Sequence, residues 1–567
     1  MLPVQYRPTP SAAEISQLTA AGVNPVVASC LIQRGVTDPT IANLRQRLLP
    51  YKGLKGIKEM ALGLAQAIQR KEKMVVVADY DCDGATACTV AVSGLRALGA
   101  DIDFVVPNRM IHGYGLTPSV VDLAATKNPR WIVTVDNGTA SIDGVAAANA
   151  QGIGVWVTDH HLPGDSLPAA MGIVNPNQPH CEFTSKNLAG CGVMFYVLAA
   201  VKDALKAMGD ARAAEVDVAE WLDVVALGTI ADVVKLDENN RWLVNQGLIR
   251  IRQGLMRPGI AALYYVANKD YERACSQDFG FALGPRLNAA GRLKDMSIGI
   301  QCLLSEDIEE AIELAKQLQE LNEERKNIEN TMKETAWAQV EAEKQKTRFT
   351  RVVFGEDFHE GVIGIVAGRI KEQDYAPTIV FAPTEDGGWK GSGRSLPGLH
   401  LRDAIDVIYK KNPSWFVKFG GHAMAAGLSL TAEGRAGFAD AFEEVVKNNY
   451  DGIRPQQYLV SDGQLPLDQM TVHTARHLSL NVWGQGFEEP LWVGEFRVHQ
   501  VDMIGKDKNH LKMIVSPLGS FDAFTALHFF QEDNIPQPDQ IIRLAYRLQA
   551  SVFGGEEKLD LIIADRD

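Results

Sequence analysis

Residues 74–84 read MVVVADYDCDG, an apolar run followed by three aspartates within five residues and then a glycine. A short run of this kind, rich in β-branched residues and bounded by a turn signal, predicts a strand that is buried on both faces. A helix-like stretch follows at about residues 85–99. The segment therefore predicts the start of a strand–helix–strand unit, with acidic side chains where its first strand ends.

The same alternation continues to about residue 235. Further apolar runs predict strands at residues 103–107, 131–135, 154–157 and 224–230, and helix-like stretches lie near residues 119–127 and 141–151. Strands that alternate with helices indicate a parallel sheet with both faces covered. We therefore expect an α/β domain in this part of the chain.

The segment 305–346 contains neither Gly nor Pro, and its apolar residues fall roughly at helical spacing. One helix of this length would reach about 60 Å. It could be a coiled-coil arm or a helix that connects two domains. Only about three weak heptads are present, which favours the connecting helix.

The rest of the chain predicts two further folded parts. Strands at 351–354 and 378–381 with a helix at 363–371 indicate a second α/β domain. Alternating stretches at 491–498, 510–515 and 541–548 indicate a small β domain, which could close into a barrel. We expect five parts: an N-terminal segment (1–50) packing on the first domain, that domain (51–300), the connecting helix (301–348), the second α/β domain (349–450) and the β domain (453–567).

Composition limits the classes of function. The 567 residues are 46% hydrophobic and 22% charged, as in a folded multidomain protein, and the formal net charge is −14. This acidity argues against a protein that coats duplex DNA. Residues 241–300 nevertheless hold nine Lys or Arg and four Asp or Glu, a local charge of +5. A local basic channel that binds a single strand of nucleic acid is therefore compatible with the negative net charge of the whole chain.

The cysteines and the N-terminus predict the compartment. Seven scattered cysteines without a CxxC pair argue against a disulfide framework or a zinc ribbon. Residues 1–11 are polar and interrupted by proline, unlike a signal peptide, and no apolar run reaches 18 residues. We expect a reduced cytoplasmic protein without a membrane span.

Acids and histidines follow four of the apolar runs. In an open parallel sheet, the carboxyl ends of the strands converge, so these side chains should meet. Clustered carboxylates repel one another and must protonate or hold cations, and Asp with His favours Mn²⁺ or Mg²⁺ over structural zinc. Two metals sharing a carboxylate would indicate phosphate-ester hydrolysis. The candidates are Asp79, Asp81, Asp83, Asp136, Asp159, His160, His161 and Asp232.

Each single aspartate also has a plainer interpretation. An Asp at the end of a strand is commonly a helix N-cap or a hydrogen-bond acceptor for a loop. For Asp79 and Asp159 this alternative stays open. Asp81 and Asp83 lie two residues apart, so on a strand they would share one face and point inward together.

The motifs DYDCDG at 79–84, DNG at 136–138 and DHH at 159–161, in this order, resemble the DHH phosphoesterase family. Further segments resemble the bacterial single-strand-specific DNA exonucleases of that family. They are NR at 108–109 with GYG at 113–115, LGTIAD at 227–232, GPRLNAAGR at 284–292, GSGRS at 391–395 and GGHAMAAG at 420–427. The resemblance runs from about residue 30 to the end and is weakest in the β domain.

The resemblance implies a fold and an activity. The fold is a DHH-type parallel-sheet domain and a DHH-associated α/β domain joined by a long helix, with a C-terminal OB-fold β-barrel. The activity is a 5′-to-3′ exonuclease that releases 5′-mononucleotides from single-stranded DNA with two Mn²⁺ or Mg²⁺ ions, in recombination and repair. The implied partners are single-stranded DNA, a single-strand-binding protein and a RecQ-type helicase, with a monomeric enzyme and no membrane.

The resemblance also assigns roles to the candidates. Asp136 would bridge two metals, Asp83, His160 and Asp232 would complete one of them, and Asp81 with Asp79 would hold the other. His161 would face the scissile phosphate, and the implied catalytic residues are His161, Asp159 and Asp136. Pyrophosphatase-like relatives carry a His where this chain has Val77, so the metal at Asp81 should be weaker or more solvated.

A second set of residues is expected to bind DNA or phosphate. Glycine-rich loops let backbone N–H groups approach phosphate, and Arg binds phosphate through two hydrogen bonds. The glycines could instead only form tight turns, and the arginines could pair with acids of the metal site. The set is Arg109, Tyr114, Arg286, Arg292, Ser392, Arg394, Ser395, Gly420, Gly421 and His422. Aromatic residues of the β domain could stack on bases, although most should be core.

Three other functions remain open. A DHH enzyme acting on short RNA, cyclic dinucleotides or pyrophosphate would usually be shorter and lack a β domain. A non-catalytic DHH-like scaffold that binds DNA would have lost metal ligands. A haloacid-dehalogenase phosphatase would carry Thr or Val where this chain has Ala85.

Overall fold

The computed structural model describes residues 1–44, 48–108, 112–343, 348–505, 508–531 and 533–567. The chain forms two compact units. The first comprises Met1–Gln319 together with Tyr458–Asp567, and the second comprises Glu320–Gln457. The second unit is therefore inserted into the first along the sequence.

The first unit contains a parallel sheet. The first six strands of the unit are β1 (Val4–Tyr6), β2 (Met74–Ala78), β3 (Ile102–Val105), β4 (Trp131–Val135), β5 (Gly154–Thr158) and β6 (Gly172–Val174), of which all but β1 belong to this sheet. Strands β2 to β6 pair in the order β3-β2-β4-β5-β6, and every neighbouring pair is parallel. All five residues of β2 are buried, as the apolar run predicts. The short strand β6 was not predicted, because three residues are too few to show a pattern.

Helices cover this sheet and extend beyond it. They are α1 (Ala12–Ala20), α2 (Pro25–Ile32), α3 (Pro39–Ala42), α4 (Ile57–Gln69), α5 (Cys82–Ala97), α6 (Pro118–Ala125), α7 (Ile142–Ala150), α8 (Gly190–Ala207), α9 (Arg212–Glu215), α10 (Leu222–Ala231), α11 (Glu238–Arg252), α12 (Pro258–Val266), α13 (Ser276–Asp278), α14 (Gly284–Leu293) and α15 (Ser297–Leu304). A π-helix at Phe279–Leu283 joins α13 to α14.

Helix α10 corrects one prediction. We predicted a strand at residues 224–230, but this run is helical. All side chains from Leu222 to Thr229 are buried. A helix that is enclosed on every side has no polar face, so the sequence lacks the periodicity that separates a helix from a buried strand.

The predicted long helix is confirmed as α16 (Ile308–Glu343), which has 36 residues. At ~1.5 Å per residue it spans about 54 Å. The division between the two compact units falls inside this helix, after Gln319. This placement agrees with a connecting helix.

The second unit is an α/β domain with a mixed sheet. Its elements are β7 (Arg351–Phe354), α17 (Ile363–Asp374), β8 (Thr378–Pro383), β9 (Trp389–Arg394), α18 (Leu401–Lys411), β10 (Phe416–Gly421), β11 (Ala425–Leu430) and α19 (Gly434–Asn449). The strand order is β10-β11-β9-β8-β7, and β7 with β8 is the parallel pair. Strands β9 and β10 both pair with β11 in antiparallel register.

The two glycine motifs of this unit are not loops, which corrects a second prediction. Residues 391–394 lie in β9, and residues 420–427 form the ends of β10 and β11 with the turn between them. A Cβ on Gly391 would lie 2.4 Å from the ring of Phe381, and one on Gly393 would lie 2.8 Å from Leu401. These two glycines are required for close packing.

The last part of the first unit is a β-barrel. Its elements are β12 (Leu459–Ser461), α20 (Val472–Ser479), β13 (Trp492–Ile504), β14 (His510–Pro517), β15 (Phe524–His528), β16 (Ile541–Phe553) and β17 (Glu556–Arg566). Strands β13 to β17 close in the order β13-β14-β15-β17-β16, with β15 and β17 parallel. The predicted α/β and barrel fold class is confirmed.

Contacts tie the barrel to the rest of the first unit. Strand β1 pairs in parallel with β12. The guanidinium carbon of Arg241 lies 3.9 Å from the ring centre of Phe487, and Ser276 Oγ donates a hydrogen bond of 2.8 Å to the carbonyl of Trp483. Among the described helices, none is alone long and apolar enough to cross a membrane, although the bent pair α1 and α2 would pass on length and composition.

Candidate metal centre

The carboxyl ends of three neighbouring strands carry the candidate ligands. Asp79 directly follows β2, Asp136 directly follows β4, and His160 and His161 follow β5 after Asp159. These strands are adjacent and parallel, so their ends meet at one edge of the sheet. Asp232 arrives from a different direction, as the residue that ends helix α10.

The structure brings these side chains into three overlapping groups. Within each group, one potential ligand atom per residue lies within 4.8 Å of the others. The groups are Asp83 with His160 and Asp232, Asp79 with Asp81 and Asp136, and Asp136 with His160 and His161. Asp136 and His160 each occur in two groups, and the group that they share links the other two. A carboxylate in this linking position is the one expected to be shared between two cations.

Three atoms of this centre are buried without a hydrogen bond to any residue that the structure describes. His160 Nε2 lies 3.1 Å from Asp136 Oδ1 and 3.5 Å from Asp232 Oδ2, and none of these atoms has a hydrogen-bond partner. Buried polar atoms in native proteins are nearly always paired. Oxygen and imidazole donors that converge in this way fit a divalent cation such as Mn²⁺ or Mg²⁺.

Asp81 and Asp83 do not lie on a strand, which corrects a third prediction. Asp81 is the N-cap of α5, and its Oδ1 accepts a hydrogen bond of 3.0 Å from the N–H of Gly84. Asp83 lies in the first helical turn, so the two carboxylates enter different ligand groups. The strand pattern could not show that the chain turns into a helix directly after Asp81.

The N-terminus of a second helix holds Asp83. Its carboxylate accepts hydrogen bonds from the N–H groups of Gly190 (2.5 Å) and Cys191 (3.0 Å), at the start of α8. The partial positive charge of a helix N-terminus favours an ionised carboxylate there. The side chain is fully buried and is fixed before any ligand arrives.

The electrostatics of the cluster also indicate a cation. Burial, followed by the charges of Asp83 and Asp81, raises the pKa of Asp136 well above its usual value. The same causes raise the pKa of Asp232, and burial with the charge of Asp83 raises the pKa of Asp81. Like charges in a buried cluster cannot all ionise unless positive charge is added.

Asp159 and His161 form a separate pair at the edge of the centre. His161 Nδ1 lies 2.8 Å from Asp159 Oδ1, and Asp159 Oδ2 accepts a hydrogen bond of 2.8 Å from the N–H of Thr139. Burial is the largest single influence and opposes ionisation of Asp159, but the hydrogen bonds and charge of His161, together with the charge of His160, outweigh it and lower the pKa of Asp159 to about 2. Burial likewise opposes protonation of His161, yet Asp159 raises the pKa of His161 to about 9.

This pair has a different role from the ligand groups. Asp159 occurs in none of the three groups, so its hydrogen-bonding interpretation is the one that the structure supports. The His161 ring is 36% exposed, and the Tyr114 hydroxyl lies 3.3 Å from its nitrogens. A positively charged imidazole with an open edge can donate a hydrogen bond to a phosphate oxygen.

Asparagines that the sequence analysis missed hold the two histidines. Asn175 Nδ2 donates to the carbonyl of His161 (2.8 Å), and Asn177 Nδ2 donates to the carbonyl of His160 (2.7 Å). Both follow the short strand β6. The same rule that polar residues gather at strand ends would have found them, had β6 been predicted.

Close backbone contacts surround the ligands. Asp136 has a φ of +60°, a left-handed conformation that few residues adopt other than glycine, asparagine, aspartate and histidine. A Cβ on Gly190 would lie 2.6 Å from the Cβ of Asp136, and one on Gly228 would lie 2.1 Å from Thr86 Oγ1 and 3.0 Å from Asp83 Oδ1. Strained backbone of this kind concentrates at functional sites.

The expected DNA contacts of the first unit have different surroundings. Arg109 lies outside the described residues. Tyr114 is 48% exposed beside His161. Arg286 is buried and its Nη1 donates to the carbonyl of Ala282 (2.6 Å), whereas Arg292 is half-buried.

The remaining expected contacts lie in the second unit. Ser392 and Arg394 are half-buried on β9, opposite Gly427 and Ala425 of β11. Ser395 is buried, and its hydroxyl donates to the carbonyl of Leu399 (2.9 Å), so it faces the interior. The last three expected residues are exposed: Gly420 and Gly421 end β10, and His422 begins the turn that leads to β11.

The barrel aromatics divide into two classes. Phe487, Trp492, Phe496 and Tyr546 are buried, and Phe524 is half-buried. Phe521, Phe529 and Phe530 are exposed, by 105%, 45% and 77%. As predicted, most of this set belongs to the core and a minority faces solvent.

Three protein families match consecutive parts of the chain. Residues 73–229 match the DHH family N-terminal domain, residues 346–448 match the DHHA1 domain, and residues 461–565 match the RecJ OB domain. The first match contains every candidate ligand except Asp232.

Similar proteins extend the match to nearly the whole chain. The single-stranded-DNA-specific exonuclease RecJ of Salmonella typhimurium is 44% identical over 557 residues, 96% of each chain. The RecJ of Escherichia coli is 46% identical over 528 residues, 91% of each chain. The crystal structure of Thermus thermophilus RecJ in complex with Mn²⁺ superposes with a TM-score of 0.82 at 26% identity, covering 100% of this chain and 79% of that chain.

Proposed function

The chain belongs to the RecJ family of single-stranded-DNA-specific exonucleases, and on that premise we propose that it shortens single-stranded DNA by metal-dependent hydrolysis. The convergence of Asp136 and Asp232 on His160 carries this proposal, since both carboxylates place a buried oxygen without a hydrogen bond within 3.5 Å of the equally unpaired His160 Nε2, among the described residues. A protein that only bound DNA would have no need to maintain such a costly cluster.

The ligand groups suggest how two cations would be held. Asp83, His160 and Asp232 would hold one cation, Asp79 and Asp81 the other, and Asp136 both. When bound, two Mn²⁺ or Mg²⁺ ions supply an activated water and neutralise charge on the phosphate. The chain contributes the fixed geometry: N–H groups of α8 hold Asp83, and Asn177 holds His160 through its carbonyl.

His161 is the residue that we assign to the scissile phosphate. Asp159 holds its Nδ1, and the charged ring keeps an exposed edge from which Nε2–H can donate to a phosphate oxygen. The Tyr114 hydroxyl beside the ring offers a second donor. Because Asp159 acts through His161, we assign it a positioning role.

The DNA path and the polarity of digestion remain proposals. In the first unit, the proposed contacts are Arg286 and Arg292, which lie on α14 within the basic segment 241–300. In the second unit, they are Ser392 and Arg394 on β9, and the exposed residues Gly420, Gly421 and His422 at the end of β10 and the start of the following turn. Arg109 stays a proposed phosphate contact on sequence grounds. We propose 5′-to-3′ digestion that releases 5′-mononucleotides, as the family resemblance implies.

The cellular setting is proposed on the same basis. We expect a cytoplasmic monomer in recombination and repair, working with a single-strand-binding protein and a RecQ-type helicase. We also keep the five-part division at residues 1–50, 51–300, 301–348, 349–450 and 453–567. The three family matches and the position of α16 support that division.

End-blocked strands test the proposal. We expect Mn²⁺-dependent release of mononucleotides from a plain single strand and from one blocked at its 3′ end, and no release from a 5′-blocked strand or a blunt duplex. Release from the 5′-blocked strand but not from the 3′-blocked strand would show the opposite polarity. A preference for dinucleotides or cyclic dinucleotides would favour the other DHH enzymes, and binding without hydrolysis would favour a scaffold.

A further inference from the structure

Phe281 is an exposed aromatic residue in an unusual backbone setting. Its side chain is 85% exposed, although Phe279 and Leu283, two residues away on either side, are fully buried. These residues form the π-helix that precedes α14. Single-turn π-helices are rare and occur frequently at functional sites.

One side of this segment packs on the helix that ends at Asp232. A Cβ on Gly280 would lie 3.8 Å from Cγ2 of Ile230, and one on Gly284 would lie 3.1 Å from the Cβ of Ala231. Ile230 and Ala231 are the last residues of α10, immediately before Asp232. The residues flanking Phe281 are therefore placed against the backbone that positions a ligand.

The other side of the segment is fixed to the opposite ligands. Asn288 Oδ1 accepts a hydrogen bond of 2.9 Å from the N–H of Cys82, which lies between Asp81 and Asp83. A Cβ on Gly291 would lie 1.8 Å from the carbonyl oxygen of Tyr80. Residues 279–293 thus contact both the α10 end and the α5 start of the metal centre, and Phe281 projects from this bridge.

The chemistry around Phe281 fits a nucleobase. It lies in the segment 241–300, whose Lys and Arg outnumber its Asp and Glu by five, although Arg286 itself is buried and donates to the carbonyl of Ala282. Exposed aromatic rings bind single strands by stacking on bases, whatever the sequence. Bases inside a duplex are covered on both faces by their neighbours, so they cannot stack on a protein ring.

We propose that Phe281 stacks on an unpaired base of the strand held at the metal centre, so that digestion depends on the presence of that base. This inference rests on the proposed exonuclease function. An aromatic ring exposed without any function is the alternative, since single exposed apolar residues are common. Tyr265, which is 67% exposed on α12, provides a matched control.

Single-residue variants test the stacking. On a 5′-phosphorylated oligo(dT) with Mn²⁺, we expect Phe281→Ala to raise KM about tenfold with kcat almost unchanged, because stacking contributes to binding before and during the reaction alike. Phe281→Trp should keep the wild-type KM, and Phe281→Leu, which retains apolar bulk without an aromatic face, should behave like Phe281→Ala. Tyr265→Ala should have no effect.

A strand with one abasic residue gives an independent readout. The wild-type enzyme should accumulate one intermediate, at a fixed distance before the abasic position, where the ring finds no base. Phe281→Ala should lack that intermediate. An unchanged KM and an unchanged intermediate in Phe281→Ala would overturn the inference alone. Failure of the wild-type enzyme to shorten the plain strand would instead overturn the proposed function, and this inference with it.

Discussion

Asp136 Oδ1 lies 3.1 Å from His160 Nε2, yet neither atom has a hydrogen-bond partner among the residues that the structure describes. The backbone of Asp136 is held at a φ of +60° to reach this position. Asp136 and His160 would both serve as ligands of a divalent cation, which would supply the positive charge that this arrangement lacks.

Removal of this carboxylate should separate activity from folding. We expect Asp136→Ala to reduce turnover at least a thousandfold, because it removes the ligand common to two groups, while circular dichroism stays unchanged. Wild-type protein should gain about 2.7 kcal/mol of stability at Mn²⁺ a hundred times above its Kd, and the variant should lose most of that gain. The exposed Asp143 provides the control, Asp143→Ala. Near wild-type turnover in Asp136→Ala would exclude the two-metal assignment.

Asp159→Asn should affect the reaction without removing a metal. It weakens the hydrogen bond that holds His161 Nδ1 and the charge that maintains the raised pKa of His161. We expect kcat to fall about a hundredfold, with Mn²⁺ affinity measured by calorimetry within a few fold of wild type. A loss of Mn²⁺ affinity as large as that of Asp136→Ala would make Asp159 a ligand.

Two helical glycines give a matched pair of substitutions. In Gly228→Ala the new methyl group would lie 2.1 Å from Thr86 Oγ1 and 3.0 Å from Asp83 Oδ1, so we expect a loss of about 2 kcal/mol and weaker Mn²⁺ binding. A Cβ on Gly368, which lies on α17, would have no atom within 4 Å among the described residues. Gly368→Ala should instead stabilise the chain by about 1 kcal/mol, through higher helix propensity. Equal effects in denaturant unfolding would contradict this account.

His528 should make barrel stability depend on pH. Burial, followed by the charge of Arg566, lowers the pKa of His528 to about 4, although Asp565 opposes the shift. As pH falls from about 6.5 towards 4, the unfolded chain binds a proton that the folded barrel excludes, so stability falls across that window. Relative to His528→Gln, the wild-type protein should therefore lose about 2 kcal/mol of stability between pH 7.5 and pH 5. A difference independent of pH would show that the ring titrates normally.

The sequence predicts the site better than it predicts the elements that build it. Strands β2 and β4 were predicted to the residue, because continuous β-branched runs leave little choice. Helix α10 was predicted as a strand, yet Asp232 still belongs to the cluster. The prediction of Asp232 depended only on its position at the end of a buried element, and that position is the same for a helix as for a strand.

The missed features depend on tertiary contacts. The roles of Asn175 and Asn177 depend on β6, which is too short to predict, and the packing role of Gly391 depends on Phe381, ten residues away. Asp81 and Asp83 enter different ligand groups because helix α5 begins directly after Asp81. The periodicity of apolar residues locates the first residue of a helix only approximately, so the sequence could not predict this separation.

The pairing of β1 with β12 has a consequence for synthesis. Tyr6 lies opposite Ser461, so β1 cannot pair with β12 until about 450 further residues have been synthesised. At ~5–20 residues per second, that delay is roughly 25 to 90 s. Throughout it, residues 4–6 present an unpaired strand edge, while the contiguous segment 320–457 can already complete its own fold. Nascent chains that stall before residue 459 should therefore be the species that require chaperone protection.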